Sequence, residues 1–377
     1  MERALPGDEN SRRSTSLVSV QALRALAATC IVLVHFEYIS FALTDRINQI
    51  LPLYPLASGV DLFFAISGFI MVHSSASLFS EAGAWRVFMI RRLSRIMPLY
   101  WLMTAAAIIV LAAPENWQML ISSLLFIPHR TASGTFFPVD AGGWTLNYEM
   151  FFYVLFACVI FLPRLSAVVA VGGFLFALVT IFHFVPAIDD RLIYWSDPIV
   201  LEFVMGMTIG LLHHRIKLPA MVRVGLIALG AGAVWLSTPG GTIPSGLRAL
   251  VWGTPMALLL AGVVLGPEPD FKWLAQPIKI LGDASYALYL LHPIVGAVIM
   301  RGWMEGPLKS YPLINVLVAG IFVSIILSIV VFFWLERPMM WLLLRSFDRP
   351  SPAKTQAMAL ARRSRLQRSL RSITPDT

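Results

Sequence analysis

The residues of this chain that could do chemistry are ionisable side chains lodged in apolar runs. Arg24 and His35 open the set, in the stretch RALAATCIVLVH. Eleven residues at 100° each carry a helix round about three turns, so both side chains project from one face, roughly 16 Å apart along the axis. Such a pair could hold an anion at one level and accept a proton at another. A snorkelling arginine and a packing histidine paired with Glu37 would account for the same spacing.

Other costly polar groups follow. Asp61 and Ser67 lie in GVDLFFAISGFIM, Glu149 in GGWTLNYEMFFY, and Tyr286, Tyr289 and His292 in LGDASYALYLLHP. An ionisable side chain within a membrane span is expensive, which makes each a functional candidate. Asp61, Glu149, His35 and His292 are all expected in the outer half of the membrane, where their convergence suggests a polar cavity or path. At the inner face, VFMIRRLSRIMPLYW carries Arg91, Arg92 and Arg95. Arg92 and Arg95, three apart on a helix, can grip one anion together, although basic residues also accumulate on the inner side for topology alone. His73 falls at the same level, whereas His213 and His214 in HHRIK read as plain interfacial residues.

The elements that must carry these groups are legible from composition. Of 377 residues, 58% are apolar and 13% charged, too little charge to cover a soluble protein of this length. Apolar runs long enough to span a bilayer recur at 17–38, 58–76, 97–113, 144–162, 165–185, 198–214, 219–237, 248–266, 280–300 and 312–334. The expected fold is an all-α transmembrane bundle of about ten helices, since helices satisfy their own backbone in lipid. The run 118–128 is too short to cross and reads as a re-entrant or interfacial piece. Of the 29 Lys and Arg, 22 fall on one side if the N-terminus is cytoplasmic, with Arg24 inside the first span. The exceptions outside are Arg46, Arg130, Arg191, Arg248, Arg301 and Lys309, so both termini are expected in the cytoplasm.

The net charge of +8 therefore belongs to topology and anionic lipid, and nucleic acid is not an expected partner. Cys30 and Cys158 sit within spans and suggest neither a disulfide framework nor a metal site. Residues 1–16 read as a cytoplasmic tail, 17–345 as the membrane domain and 346–377 as a basic tail, with an interfacial helix near 355–372. There is no 20–50-residue repeat.

Several stretches together resemble the acyltransferase-3 family of integral membrane O-acyltransferases: QALRALAATCIVLVHF, GVDLFFAISGFIM, FMIRRLSRIMPLYW, SLLFIPHR, GWTLNYEMFFYVLFA, LGDASYALYLLHP and LERP. The form GWTLNYEMFFY is most similar to the bacterial exopolysaccharide acetyltransferase branch. The resemblance implies acetyl-CoA or a related acyl-CoA as donor, and a hydroxyl of a glycan or lipid-linked saccharide as acceptor. It implies a setting in the bacterial inner membrane, beside polysaccharide assembly machinery. His35 matches the family's essential histidine and Arg24 its partner; Arg92 and Arg95 match the donor-contacting arginines, and Glu149 the acidic residue of the W-[ST]-L-x-x-E pattern. On this reading His35, Glu149 and Asp61 serve catalysis, with Arg24, Arg91, Arg92 and Arg95 on the donor. Trp144, Ser67, Tyr286, Tyr289 and His292 serve the acceptor, and no metal is required. A proton-coupled saccharide transporter would use a similar polar path.

Overall fold

The structure is a computed structural model that describes residues 17–44, 54–111, 114, 116–185, 189–237, 243 and 245–347. Every regular element among them is helical. Numbering helices of eight residues or more, α1 is Val18–Thr44, α2 Gly59–Ser74, α3 Ala84–Val110, α4 Trp117–Leu124 and α5 Trp144–Val159. Then come α6 Arg164–Phe184, α7 Leu201–Leu212, α8 Ala220–Leu236 and α9 Thr254–Val264. The last four are α10 Ala275–Asp283, α11 Ser285–Glu305, α12 Leu313–Val331 and α13 Arg337–Phe347.

The chain is a multi-pass helical membrane bundle. Each of the ten expected spans holds a helix, and among the described residues seven helical stretches are long and apolar enough to cross a membrane. The other three positions hold α5, of 16 residues, and the shorter apolar stretches Pro198–Leu212 and Ala220–Leu236. The 118–128 run gives only α4, eight residues long.

Local sequence explains the boundaries. No glycine or proline interrupts 18–44, so α1 runs unbroken. Prolines 163, 219 and 312 precede α6, α8 and α12, where a missing N–H costs nothing. One boundary departs from expectation. The arginines of RRLSR lie on helix, not on a loop, because α3 begins at Ala84 after the left-handed Gly83 (φ 76°). Nothing between Ala84 and Pro98 breaks that helix.

Burial sorts the helices. Of the most apolar window, 78% is buried for Pro55–Ser74 but only 28% for Arg164–Phe184 and for Leu313–Phe347. α2 is therefore central, while α6 and α12 turn residues such as Phe176 and Phe322 outward, as a lipid-facing rim requires. α2 and α7 touch backbone to backbone. A Cβ on Gly68 would run into the Phe203 carbonyl, and one on Gly206 into that of Ala65. Small residues at a crossing allow such approach within a membrane.

Two stretches are wound as π-helix, Ala249–Gly253 before α9 and Phe332–Glu336 after α12. The first follows Arg248 and the second ends on the buried Glu336; π-turns recur at functional sites. The N-terminal tail, residues 348–377 and the helix expected near 355–372 lie outside the described residues.

Candidate active site

Near the centre of the bundle α1, α2, α3, α5 and α11 line a partly open cavity. Its cationic wall is Arg24 from α1 with Arg92 and Arg95 from α3. Arg24 Nη1 donates to Gln21 Oε1 at 3.2 Å, and Gln21 Nε2 in turn donates to Asp283 Oδ1 at 2.7 Å. Arg92 Nη2 donates to Ser74 Oγ at 2.7 Å, with its guanidinium over the rings of Phe88 and Tyr153. Three like charges on one wall repel in a medium of low dielectric, and an anion relieves that repulsion.

The rest of the polar lining is organised by Glu149. Its Oε1 accepts from Ser67 Oγ at 2.9 Å and from the hydroxyl of Tyr153, one turn further along α5. Thr145, Tyr286 and Tyr289 complete this side; Thr145 Oγ1 donates to the Tyr289 hydroxyl at 3.0 Å, and the Tyr286 hydroxyl to the Ile96 carbonyl at 2.9 Å. The start of α5 is set by Asp140, whose Oδ1 accepts from Gly142 N–H at 3.1 Å and caps the turn 141–143. Burial lifts the Asp140 carboxyl to about 7, opposed by that Gly142 bond.

His35 and His292 form a separate unit beside the cavity. Neither lines it, but Tyr289, which does, lies 6.0 Å ring to ring from His292. His35 Nδ1 is 2.6 Å from His292 Nε2, and His292 Nδ1 is 3.0 Å from the Leu288 carbonyl. A carbonyl only accepts, so His292 Nδ1 carries the hydrogen, and in a neutral ring Nε2 offers the lone pair. His35 Nδ1 must then donate, which leaves the lone pair on His35 Nε2. The histidine partner of His35 is therefore His292, in place of the Glu37 pairing that the sequence allowed.

Other expected members lie elsewhere. Asp61, fully buried, makes a bidentate ion pair with Arg248, Nε to Oδ1 at 3.0 Å and Nη2 to Oδ2 at 2.9 Å. It sits at the opposite end of α2 from Ser74 and does not line the cavity. Trp144 goes with that cluster, its ring 6.0 Å from the Arg248 guanidinium. Arg91 is exposed, because successive helix positions differ by 100° and only Arg92 and Arg95 turn inward. The four groups expected to converge thus divide among three clusters, around Glu149, His35–His292 and Asp61.

Sequence reading passed over Tyr153, Arg248, Glu202 and Glu336. Tyr153 was findable, one helical turn after Glu149. Glu336 is the second residue of the LERP stretch, is 4% exposed, and brings its charge toward Arg95 and Arg24. Arg248 had looked like an ordinary outer-loop cation; its partner is remote in sequence, and nothing local announces it. Glu202, fully buried, lies beside Asp61 and Arg248.

Fold and cavity together define a polytopic membrane protein with a buried, arginine-walled site. Residues 17–333 match the Acyltransferase domain of the acyltransferase-3 family, and the chain belongs to that family. It is 34% identical over 295 residues to the exopolysaccharide production protein ExoZ of Rhizobium meliloti (strain 1021), covering 75% of this chain and 89% of that protein. It is 25% identical over 322 residues to the acyltransferase MdmB of Streptomyces mycarofaciens, covering 75% and 80%. It is 24% identical over 303 residues to the putative membrane-bound transacylase BcsY of Komagataeibacter xylinus, covering 72% and 71%. No solved structure matches the chain.

Proposed function

We propose that this acyltransferase moves an acyl group, acetyl in the simplest case, from acyl-CoA to a hydroxyl of an exopolysaccharide or its lipid-linked precursor in the bacterial inner membrane. The observation that carries the reading is the wall of Arg24, Arg92 and Arg95 inside a membrane bundle, which suits the phosphates of coenzyme A. The relative named for exopolysaccharide production supports a glycan acceptor.

His35 Nε2 takes the proton from the sugar hydroxyl as its oxygen attacks the thioester carbonyl. The carbon–sulfur bond breaks, and the imidazolium returns the proton to the departing thiolate. His292 fixes the tautomer through its Leu288 bond, as a positioning residue. Glu149, tied to Ser67 and Tyr153, accepts further hydrogen bonds from sugar hydroxyls in the cavity. Tyr286 and Tyr289 offer faces for a pyranose ring. The donor's arm has to run along α1 from Arg24 toward His35, roughly 16 Å.

The test uses the full chain in nanodiscs with radiolabelled acetyl-CoA and a lipid-linked saccharide extract, reading both labelled saccharide and free coenzyme A. His35→Ala should abolish both signals, while His292→Phe should lower kcat with the donor KM unchanged. Full transfer by folded His35→Ala sinks the general-base role. In sealed proteoliposomes, saccharide movement across the bilayer without coenzyme A release would favour a transporter.

A further inference from the structure

Beyond the catalytic cavity, three histidines from two helices meet at the end of the bundle that carries Arg92. His73 lies in the last turn of α2; His213 and His214 follow the end of α7. Each offers one ring nitrogen, and these atoms lie within 4.8 Å of one another. The His213 and His214 rings are 4.7 Å apart, and His73 is 5.1 Å from the first and 5.4 Å from the second.

Their surroundings hold them in place. The His73 ring stacks on Phe69, one turn earlier, at 5.4 Å, and Phe69 meets the His213 ring edge-on at 5.3 Å. His213 Nδ1 is 2.8 Å from the Val264 carbonyl at the end of α9. That carbonyl only accepts, so His213 Nδ1 carries the hydrogen and Nε2 presents a lone pair. Backbone support of this kind fixes the tautomer of metal-ligating histidines. The glycine-mediated contact of α2 with α7 keeps the two helix ends in register.

We propose that His73, His213 and His214 form a site for a divalent transition-metal ion of the Zn²⁺ class. Imidazole nitrogens suit zinc, nickel and copper more than the oxygen-seeking calcium or magnesium. Bonds of about 2.0–2.1 Å place tetrahedral ligands about 3.3 Å apart, so closure from the present spacing needs only small ring rotations. His214 is exposed and gives an ion its way in. Arg164 is the cation felt by His214 and opposes a bare metal charge, so the fourth position falls to an anionic oxygen or hydroxide. The ion would clasp the ends of α2 and α7 next to Ser74, the residue that takes the Arg92 hydrogen bond.

The experiment is a zinc titration by calorimetry of the full chain in nanodiscs after chelator treatment, with cobalt absorption as a second readout. One saturable site per chain is expected, with a tetrahedral cobalt spectrum. His214→Ala and His73→Ala should each weaken it about 100-fold or more, in line with the loss of a ligand against the smaller cost of losing its support. His35→Ala should leave it intact, which separates this site from the His35–His292 pair. Zinc should also raise the melting temperature of wild type but not of His214→Ala. Zinc binding that is absent, or equal in wild type and His214→Ala, would overturn the proposal. So would inorganic phosphate filling the site in place of zinc.

Discussion

Arg24, Arg92 and Arg95 face one cavity from two helices, and the charges of Asp283, Glu336 and Glu149 reach Arg24. The ion pair of Asp61 with Arg248 has another character, being bidentate, buried on the acid side and remote from the cavity. Removing one member of a buried pair leaves the other uncompensated, at a cost of about 3–5 kcal/mol. Asp61→Asn should therefore lower the melting temperature in nanodiscs while the donor KM of the protein that stays folded is unchanged. Loss of transfer at the wild-type melting temperature would return Asp61 to the catalytic machinery.

Among elements, α2 and α7 depend on their glycines. At Gly206 a Cβ meets the Ala65 carbonyl and Phe69 N, whereas at Gly173 on α6 it meets nothing. Gly206→Ala should destabilise by about 1–3 kcal/mol or more, as overpacking does. Gly173→Ala should be neutral or slightly stabilising, since alanine favours helix. Thermal unfolding of the two variants side by side checks the contrast, and equal melting temperatures would refute close approach.

The turn before α5 adds a pH dependence. Burial raises the Asp140 carboxyl to about 7 from an ordinary value near 4. The folded state then binds a proton that the unfolded state has released, so this contribution is full below about pH 4 and is lost as pH rises through about 7. Wild type should lose melting temperature between pH 5 and 8, and Asp140→Asn should lose less. Parallel curves would exclude the carboxyl as the cause.

For the whole molecule, the two ends of α2 carry different chemistry: Ser74, Arg92 and the three histidines at one, Asp61 and Arg248 at the other. The distribution of Lys and Arg predicts that the first end is cytoplasmic. In a Cys30→Ala, Cys158→Ala background, Arg91→Cys should react with a membrane-impermeant maleimide only in inside-out vesicles. Labelling in right-side-out vesicles would invert that orientation.

Much of this was legible in the chain itself. Apolar runs of bilayer length, the basic asymmetry and the Arg24–His35 spacing are local properties, so they survive without tertiary information. Local spacing also put Arg92 and Arg95 on one face, and the structure turns both into the cavity. What sequence could not decide was partnership. His292 rather than Glu37 meets His35, Arg248 claims Asp61, and His73 reaches His213 and His214, all through contacts between helices far apart in the chain. Hydropathy reports that a helix crosses the membrane, but the rotation of each helix about its own axis is set by packing against its neighbours, and that rotation chooses which polar groups touch.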